Sequence, residues 1–401
     1  MKKVLIWDEF KMSNIGGPMG YCYNIHEYLK ENPTDQITFL SDLLPSENRK
    51  EVNATNKVKK KGVLYDFFYT CITFLFCHYR LGGKKIPSSI DLNEYDYVHF
   101  HLTNNAAKFL RNYNGYRGKT ILTSHTPCPR TIEVFANQPK WKKIFWNLEM
   151  RREAQTYSEV DYVMFPCKDA REPYEKYPIM KRAFEKNDKK FFYNPSAILD
   201  LKINEETMQK YSQLGIPDNA FVITYFGRHI SVKGYDILKQ VGNALLDKYP
   251  NLYFLCAGKG DIEPLKHPRW KELGFIHNAN ELMAQSSLYI LPNRETYFDL
   301  VTLEILRAGI PLILSDTGGN KFFKELPSNE TEGMHFFNID DVVGLINKVV
   351  KIIEIKRNSP LIYNKFKIDN RNLFLKYFTI DKFVNSYIDI INNLGVIYSN
   401  K

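Results

Sequence analysis

Phe221-Val-Ile-Thr-Tyr-Phe226 is an unbroken run of β-branched and aromatic residues, the composition of a buried strand. Gly227 ends the run, and from Gly234 onward apolar residues recur at helical spacing through Leu245 and Leu246. Other short apolar runs share this pattern: Val4–Trp7, Asp96–Leu102, Thr120–His125, Asp161–Pro166 and Phe191–Ser196 in the first half, then Leu252–Cys256, Leu273–Ile276, Leu288–Leu291 and Pro311–Leu314. Strands alternating with helices build parallel sheets with helices on their faces, so the expectation is an α/β chain with one parallel sheet in each half. A polar stretch, Lys202 to Pro217, places the boundary between the halves near 198–215.

Between the strand at 221–226 and its helix lie Arg228 and Lys233. In an open α/β sheet ligands bind at the carboxyl ends of strands, and a guanidinium fork beside an ammonium suits a diphosphate. Pairing of one cation with a surface carboxylate is the competing reading. A formal net charge of +10 also favours anionic partners, whether nucleotide phosphates, nucleic acid or an anionic membrane face. No zinc-finger spacing, RNA-binding signature or long basic tail accompanies it, so nucleic acid ranks low. The six scattered cysteines form no CxxC pair and read as reduced core thiols of a cytoplasmic protein, and the apolar run at the start is too short for a signal peptide.

Four further features bear on function. Asn14–Gly20 is a glycine-rich loop without the GxGxxG spacing; Gly16 and Gly17 let a backbone approach a ligand or neighbouring domain, or merely form a tight turn. His99, His101 and His125 lack a carboxylate or cysteine at ligand spacing, which argues against a metal, but His125 stands where a strand gives way to a loop and is a candidate for binding or chemistry. Residues 62–81 are aromatic and apolar between basic clusters (Lys59, Lys60, Lys61 and Lys84, Lys85), with Asp66, His78 and Arg80 interrupting a membrane-span length. Burial in the domain core, the commoner fate, and an interfacial helix on anionic lipid both fit. Finally, Leu291–Pro311 passes from a polar loop bearing Glu295 into a helix bearing Glu304, whose start near Phe298 to Leu300 offers free N–H groups to an anion.

Taken together, Gly227-Arg228 with Lys233-Gly234, Ala257-Gly-Lys-Gly260, Leu273–Ile276, Leu291-Pro-Asn293 with Glu295 and Glu304, Gly309-Ile-Pro311 and Ser315-Asp-Thr-Gly-Gly319 resemble the retaining GT-B glycosyltransferases of the family 4 type. The likeness runs over nearly the whole chain. It implies two Rossmann-like parallel-sheet domains facing across a cleft: residues 1–200 binding the acceptor, residues 201–378 binding the donor, and a final helix at 379–395 packing back on the first domain. By the same resemblance Arg228 and Lys233 clamp the donor diphosphate, Glu295 and His125 contact the donor sugar, and Gly16, Gly17, Gly227 and Gly258 admit the phosphates. Phe275 and Ile276 meet the base, Glu304 accepts from ribose hydroxyls, and Thr296, Phe298, Asp299 and Leu300 complete the donor site. No metal and no cofactor are implied; a nucleotide-diphosphate sugar is the co-substrate.

The chain departs from the family pattern at the acidic motif. The family has seven residues between its two glutamates, and here Glu295 and Glu304 have eight. With Phe298 aligned to the family's phenylalanine, Thr296 takes the first glutamate's place and Asp299 replaces a glycine. Either a bulge lets Glu295 reach the sugar or that contact is altered. Asn194-Pro-Ser-Ala197 also stands where the family often has an asparagine-glycine pair. The reading is a retaining glycosyltransferase of surface-polysaccharide synthesis acting on a glycan or lipid-linked acceptor, cytoplasmic or peripheral on the inner face of a membrane. The alternatives are a nucleotide-sugar epimerase or phosphorolytic enzyme of the same fold, and a nucleotide-sugar or glycan-binding protein with a decayed active site.

Overall fold

The computed structural model describes residues 1–10, 12–13, 17–44, 63–72, 90–136, 140–186, 188–201, 208–277 and 279–397. The chain divides into two compact units. The first comprises 1–166, 171–195 and 383–401; the second comprises 167–170 and 196–382.

The first unit is built on a six-stranded, all-parallel sheet with spatial order β2-β1-β3-β4-β5-β6. Its strands are β1 (Val4–Trp7), β2 (Ile37–Phe39), β3 (Tyr97–Phe100), β4 (Lys119–Thr123), β5 (Tyr162–Phe165) and β6 (Phe191–Tyr193). The central strands are buried along their whole length, which is why they read as continuous apolar runs. Trp7, Phe100 and Phe109 pack with ring centroids within 5.4 Å of one another, tilted or edge to face, and Tyr157, Phe165, Tyr174 and Phe184 fill another part of the core. The final helix, Ile380–Ile397, contributes its residues from Phe383 onward to this unit. Its apolar face, Phe383, Val384, Tyr387, Ile391 and Leu394, is buried. Asn392 caps the attachment by accepting from Lys2 N (2.9 Å) and Gln36 Nε2 (3.1 Å).

The second unit carries β7 (Phe221–Phe226), β8 (Leu252–Ala257), β9 (Trp270–Glu272), β10 (Leu288–Leu291), β11 (Leu312–Ser315) and β12 (Met334–Phe337). These form a second parallel sheet, ordered β12-β11-β10-β7-β8-β9. Helix Tyr235–Leu245 buries Ile237, Leu238, Val241 and Leu245 against β7, β8 and Trp270. Each such side chain contributes about 2 kcal/mol of transfer free energy. Both halves therefore hold the parallel sheet that the alternation predicts.

The structure corrects two sequence expectations here. Leu273–Ile276 is not a strand: the sheet ends with the edge strand β9, and Gly274, with φ +67°, turns the chain away. Helix Val63–Ile72, the described part of the aromatic stretch, is not core. Leu64, Tyr65, Phe67, Phe68, Tyr69 and Ile72 are all exposed, Leu64 at 73% and Phe68 at 61%. Only its inner edge packs inward, with Thr70 buried and Cys71 against Phe135 and Phe145. Residues 73–89, the lysines at 59–61 and Gly16 lie outside the described residues. Among the described residues no helix is long and apolar enough to cross a membrane, and five cysteines are free thiols.

Candidate functional site

Strand β7 delivers the central loop of the second unit. Gly227 N donates to Ala257 O (2.9 Å) and His229 N to Lys259 O (3.0 Å), so the loop after β7 runs alongside the loop after β8. Glycine is obligatory at that contact: a Cβ on Gly258, whose φ is +142°, would lie 1.9 Å from Gly227 O. The buried Tyr225 reaches under the loop, its hydroxyl donating to Arg228 O (2.8 Å) and Lys233 O (3.4 Å). Tyr289, from β10, latches the end of β7 by accepting from Phe226 N (2.9 Å) and donating to Phe226 O (3.0 Å). A 3-10 turn at Ser231–Lys233 then closes at Gly234. There φ is +68° and a Cβ would come within 1.8 Å of Pro292 O, so the cation-bearing loop and the loop after β10 are pressed together.

Arg294 secures that junction. Its backbone N donates to Val232 O (2.9 Å), its Nη1 donates to Ser231 O (2.6 Å), and the guanidinium pairs with Asp236 and Asp340 (2.7 and 2.8 Å). The hydrogen-bonded guanidinium holds the Asp236 carboxyl below the usual range. On the other side Ser315 Oγ donates to Asn293 O (2.5 Å), and Gly319 N donates to Thr296 O (3.2 Å). A Cβ on Gly319 would sit 1.8 Å from Tyr297 O. The small-residue loop at 315–319 thus serves as a backbone shelf for the acidic motif.

The second unit brings together Gly227, Arg228, Lys233, Gly258, Glu295, Thr296, Asp299, Leu300 and Glu304 on the loops after β7, β8 and β10 and on helix Leu300–Arg307. Arg228 is exposed, and Glu295 is half-buried. Lys233 is the cation that pairs with a carboxylate, the competing reading of its sequence. It is only 16% exposed, and its Nζ donates to both carboxylate oxygens of Asp299 at 2.9 and 2.8 Å. Asn293 Nδ2 donates to the same carboxylate. Thr296 is fully buried, and its hydroxyl has no hydrogen-bond partner among the described residues. Phe298 points into an aromatic cluster with Phe322, Phe323 and Phe378, so its side chain is structural. Phe275 is 56% exposed beside the half-buried Ile276. Burial pushes the Glu304 carboxyl up to about 7, Arg307 pulling the other way.

In the first unit, Gly17 (φ +76°) precedes helix Pro18–Glu31, whose Tyr21 packs on the imidazole of His125 with centroids 4.7 Å apart. His125 Nε2 meets His101 Nδ1 at 2.9 Å, and His101 stacks on His99 at 4.4 Å. His99 in turn bonds Thr123 Oγ1 and Tyr387 OH, both at 2.7 Å. Burial pushes His99 and His125 down to about 3 and His101 well below its ordinary value, so the three rings are neutral. No metal-holding group of three or more His, Cys, Asp or Glu occurs among the described residues. Sequence reasoning missed this stack's partners Tyr21 and Tyr387, and it missed Tyr225, Tyr289 and Arg294 as braces. The i, i+2 spacing of His99 and His101 did signal a shared strand face.

The family described as Glycosyl transferases group 1 matches residues 220–354, which contain all of these second-unit loops. A glycogen synthase of Clostridium kluyveri is 29% identical over 179 residues, 41% of this chain and 38% of that protein. A UDP-Gal:alpha-D-GlcNAc-diphosphoundecaprenol alpha-1,3-galactosyltransferase of Escherichia coli is 26% identical over 196 residues, 45% of this chain and 48% of that protein. The chain thus spans less than half the length of these two curated relatives. Among solved structures, a sucrose-phosphate synthase from Thermosynechococcus elongatus superposes with a TM-score of 0.65 at 14% identity, covering 99% of this chain and all of the other.

Proposed function

We propose that this chain, a group 1 glycosyltransferase with the GT-B fold, moves a sugar with retention from a nucleotide-diphosphate sugar to a glycan or lipid-linked glycan acceptor in surface-polysaccharide synthesis. The observation that carries the reading is the loop after β7. There Arg228 and Lys233 stand at the carboxyl end of a parallel strand, braced by Tyr225 and Arg294, on the stretch the family match covers. Breaking the sugar–phosphate bond builds positive charge at the anomeric carbon and negative charge on the departing diphosphate. Two cations carried on a braced loop stabilise that diphosphate without a metal. Attack from the face of the leaving group retains the anomeric configuration, the departing phosphate taking the acceptor's hydroxyl proton. Glu304 accepts from the ribose hydroxyls, and Phe275 and Ile276 line the base. Glu295 or Thr296 meets the donor sugar, Thr296 through the hydroxyl that has no partner among the described residues. His125, held neutral by burial, acts as a hydrogen-bonding group toward a sugar hydroxyl and carries no charge of its own.

A lipid-linked acceptor is supported by the name of the Escherichia coli relative and by the exposed helix Val63–Ile72. That apolar surface continues through Trp141, 5.6 Å from Phe67, to the exposed Ile144, with Lys142 and Lys143 alongside. Aromatic residues beside lysines suit the headgroup region of an anionic leaflet. The alternative of a donor-binding protein without transferase activity draws on Lys233 being held by Asp299. Incubation with UDP-, GDP- and ADP-sugars in excess EDTA separates the two. Release of free nucleotide from one donor class is expected; binding without release supports the alternative, and restoration of release only by Mg²⁺ or Mn²⁺ overturns metal independence.

A further inference from the structure

The Lys233–Asp299 pair differs from an ordinary surface ion pair. Both partners are largely buried, at 16% and 18% side-chain exposure, and both carboxylate oxygens are engaged by one ammonium. The carboxylate also accepts from Asn293, which is itself fully buried. Asp299 precedes helix Leu300–Arg307 as its N-cap, yet its side chain makes no capping bond to that helix. The carboxylate has thus given up the role a helix-start aspartate ordinarily plays and is spent on Lys233. The loop bearing Lys233 is fixed by Tyr225, Arg294 and the contact of Gly234 with Pro292, so the ammonium is presented to Asp299 by a braced backbone.

We propose that Asp299 is an internal competitor for the donor's diphosphate. Resting on the reading of Lys233 as a diphosphate ligand, the proposal is that the carboxylate occupies the place of a phosphate oxygen in the unliganded site. Donor binding must move Lys233 from Asp299 to the phosphate, and the apparent affinity falls by the fraction of molecules in which the lysine is free. A carboxylate left beside a diphosphate also repels it as a like charge. Both effects act in reverse after transfer, when Asp299 retakes Lys233 and helps expel the nucleoside diphosphate. Release of product is a step that often sets turnover.

The test is calorimetric titration of the protein and its Asp299→Asn variant with UDP, GDP and ADP, and with the matching nucleosides by competition. Asn keeps the shape of the side chain and removes its charge. Asp299→Ser, which supplies a side chain able to cap the helix, serves should the first variant melt early. The expected result is that the nucleoside diphosphate the site accepts binds about tenfold or more tightly to the variant, while its nucleoside binds unchanged. Unchanged or weaker diphosphate binding overturns the proposal, the latter assigning Asp299 to positioning Lys233 for the phosphate. Equal tightening of nucleoside and diphosphate also overturns it, because the effect would not lie at the phosphates. If none of the three diphosphates binds either protein, the reading of the loop as a nucleotide site fails instead.

Discussion

Glu304 offers a prediction whose sign and size follow from its surroundings. The carboxyl sits on helix Leu300–Arg307 without a hydrogen-bond partner among the described residues, and burial raises it to about 7 from 4.5. A raised folded-state value means that this group's contribution to the stability of the ligand-free protein is fully present below about pH 4.5, where Glu304 is protonated both folded and unfolded. That contribution is lost as pH rises from there through about 7, by at most about 3 kcal/mol. If Glu304 takes its proposed place at the ribose, two hydroxyls donating to the carboxylate favour the ionised form, and nucleotide binding must expel a proton below about pH 7. The apparent dissociation constant then rises by a factor of one plus ten to the power of the difference between pKa and pH. That is roughly twofold at pH 7 and about tenfold at pH 6. Glu304→Gln removes this dependence, weakens binding at pH 8, and stabilises the ligand-free protein there. The nucleoside diphosphate titrates its own terminal phosphate in the same window. The quantity to follow is therefore the ratio of wild-type to Glu304→Gln affinities, measured calorimetrically from pH 6 to 8.5. A ratio that stays flat across that range would refute the assignment of Glu304 to the ribose.

Arg228→Ala should lower turnover about a hundredfold or more by removing one preorganised charge, while the exposed position leaves the melting temperature unchanged; normal turnover would remove Arg228 from the clamp. Gly234→Ala should instead unfold or strongly destabilise the second unit, since φ +68° and a Cβ at 1.8 Å from Pro292 O cannot both be tolerated. The strained backbone alone costs about 1–2 kcal/mol, and a wild-type melting curve would show that the two loops separate freely. At low ionic strength the protein should co-sediment with anionic liposomes, and Phe67→Asp combined with Phe68→Asp should release it. Wild-type protein left in the supernatant would rule out docking through helix Val63–Ile72.

Sheet strands were legible because a parallel strand covered on both faces is dominated by apolar and β-branched residues, as β1, β7 and β11 are. The edge strands lack that constraint. Trp270-Lys-Glu272 carries two charged residues because one side of β9 has no neighbour, so the apolar run that follows it attracted the assignment. Composition also misplaced helix Val63–Ile72. An apolar helix reads the same whether its aromatic residues meet a core or a headgroup layer, and only packing reveals that Thr70 and Cys71, not the phenylalanines, face inward.

The candidate site shows a related boundary between chemistry and partnership. Arg228, Lys233, Asp299 and Glu304 were recognisable one by one, because a cation after a strand and a carboxylate at a helix start are local patterns. What each touches depends on how strands distant in sequence are ordered in the sheet. Lys233 follows β7 and Asp299 follows β10, and these are sheet neighbours although a whole strand pair, β8 and β9, intervenes along the chain. That adjacency, with Gly234 packed on Pro292 and Arg294 reaching back to Ser231 and Asp236, brings the ammonium to the carboxylate. A glycine in place of Asp299 would leave the same strand order and the same lysine, but with its charge open to a phosphate. On the proposal made for Asp299, the single residue at 299 decides whether this loop meets a diphosphate as a free cation or as an ion pair that must first be broken.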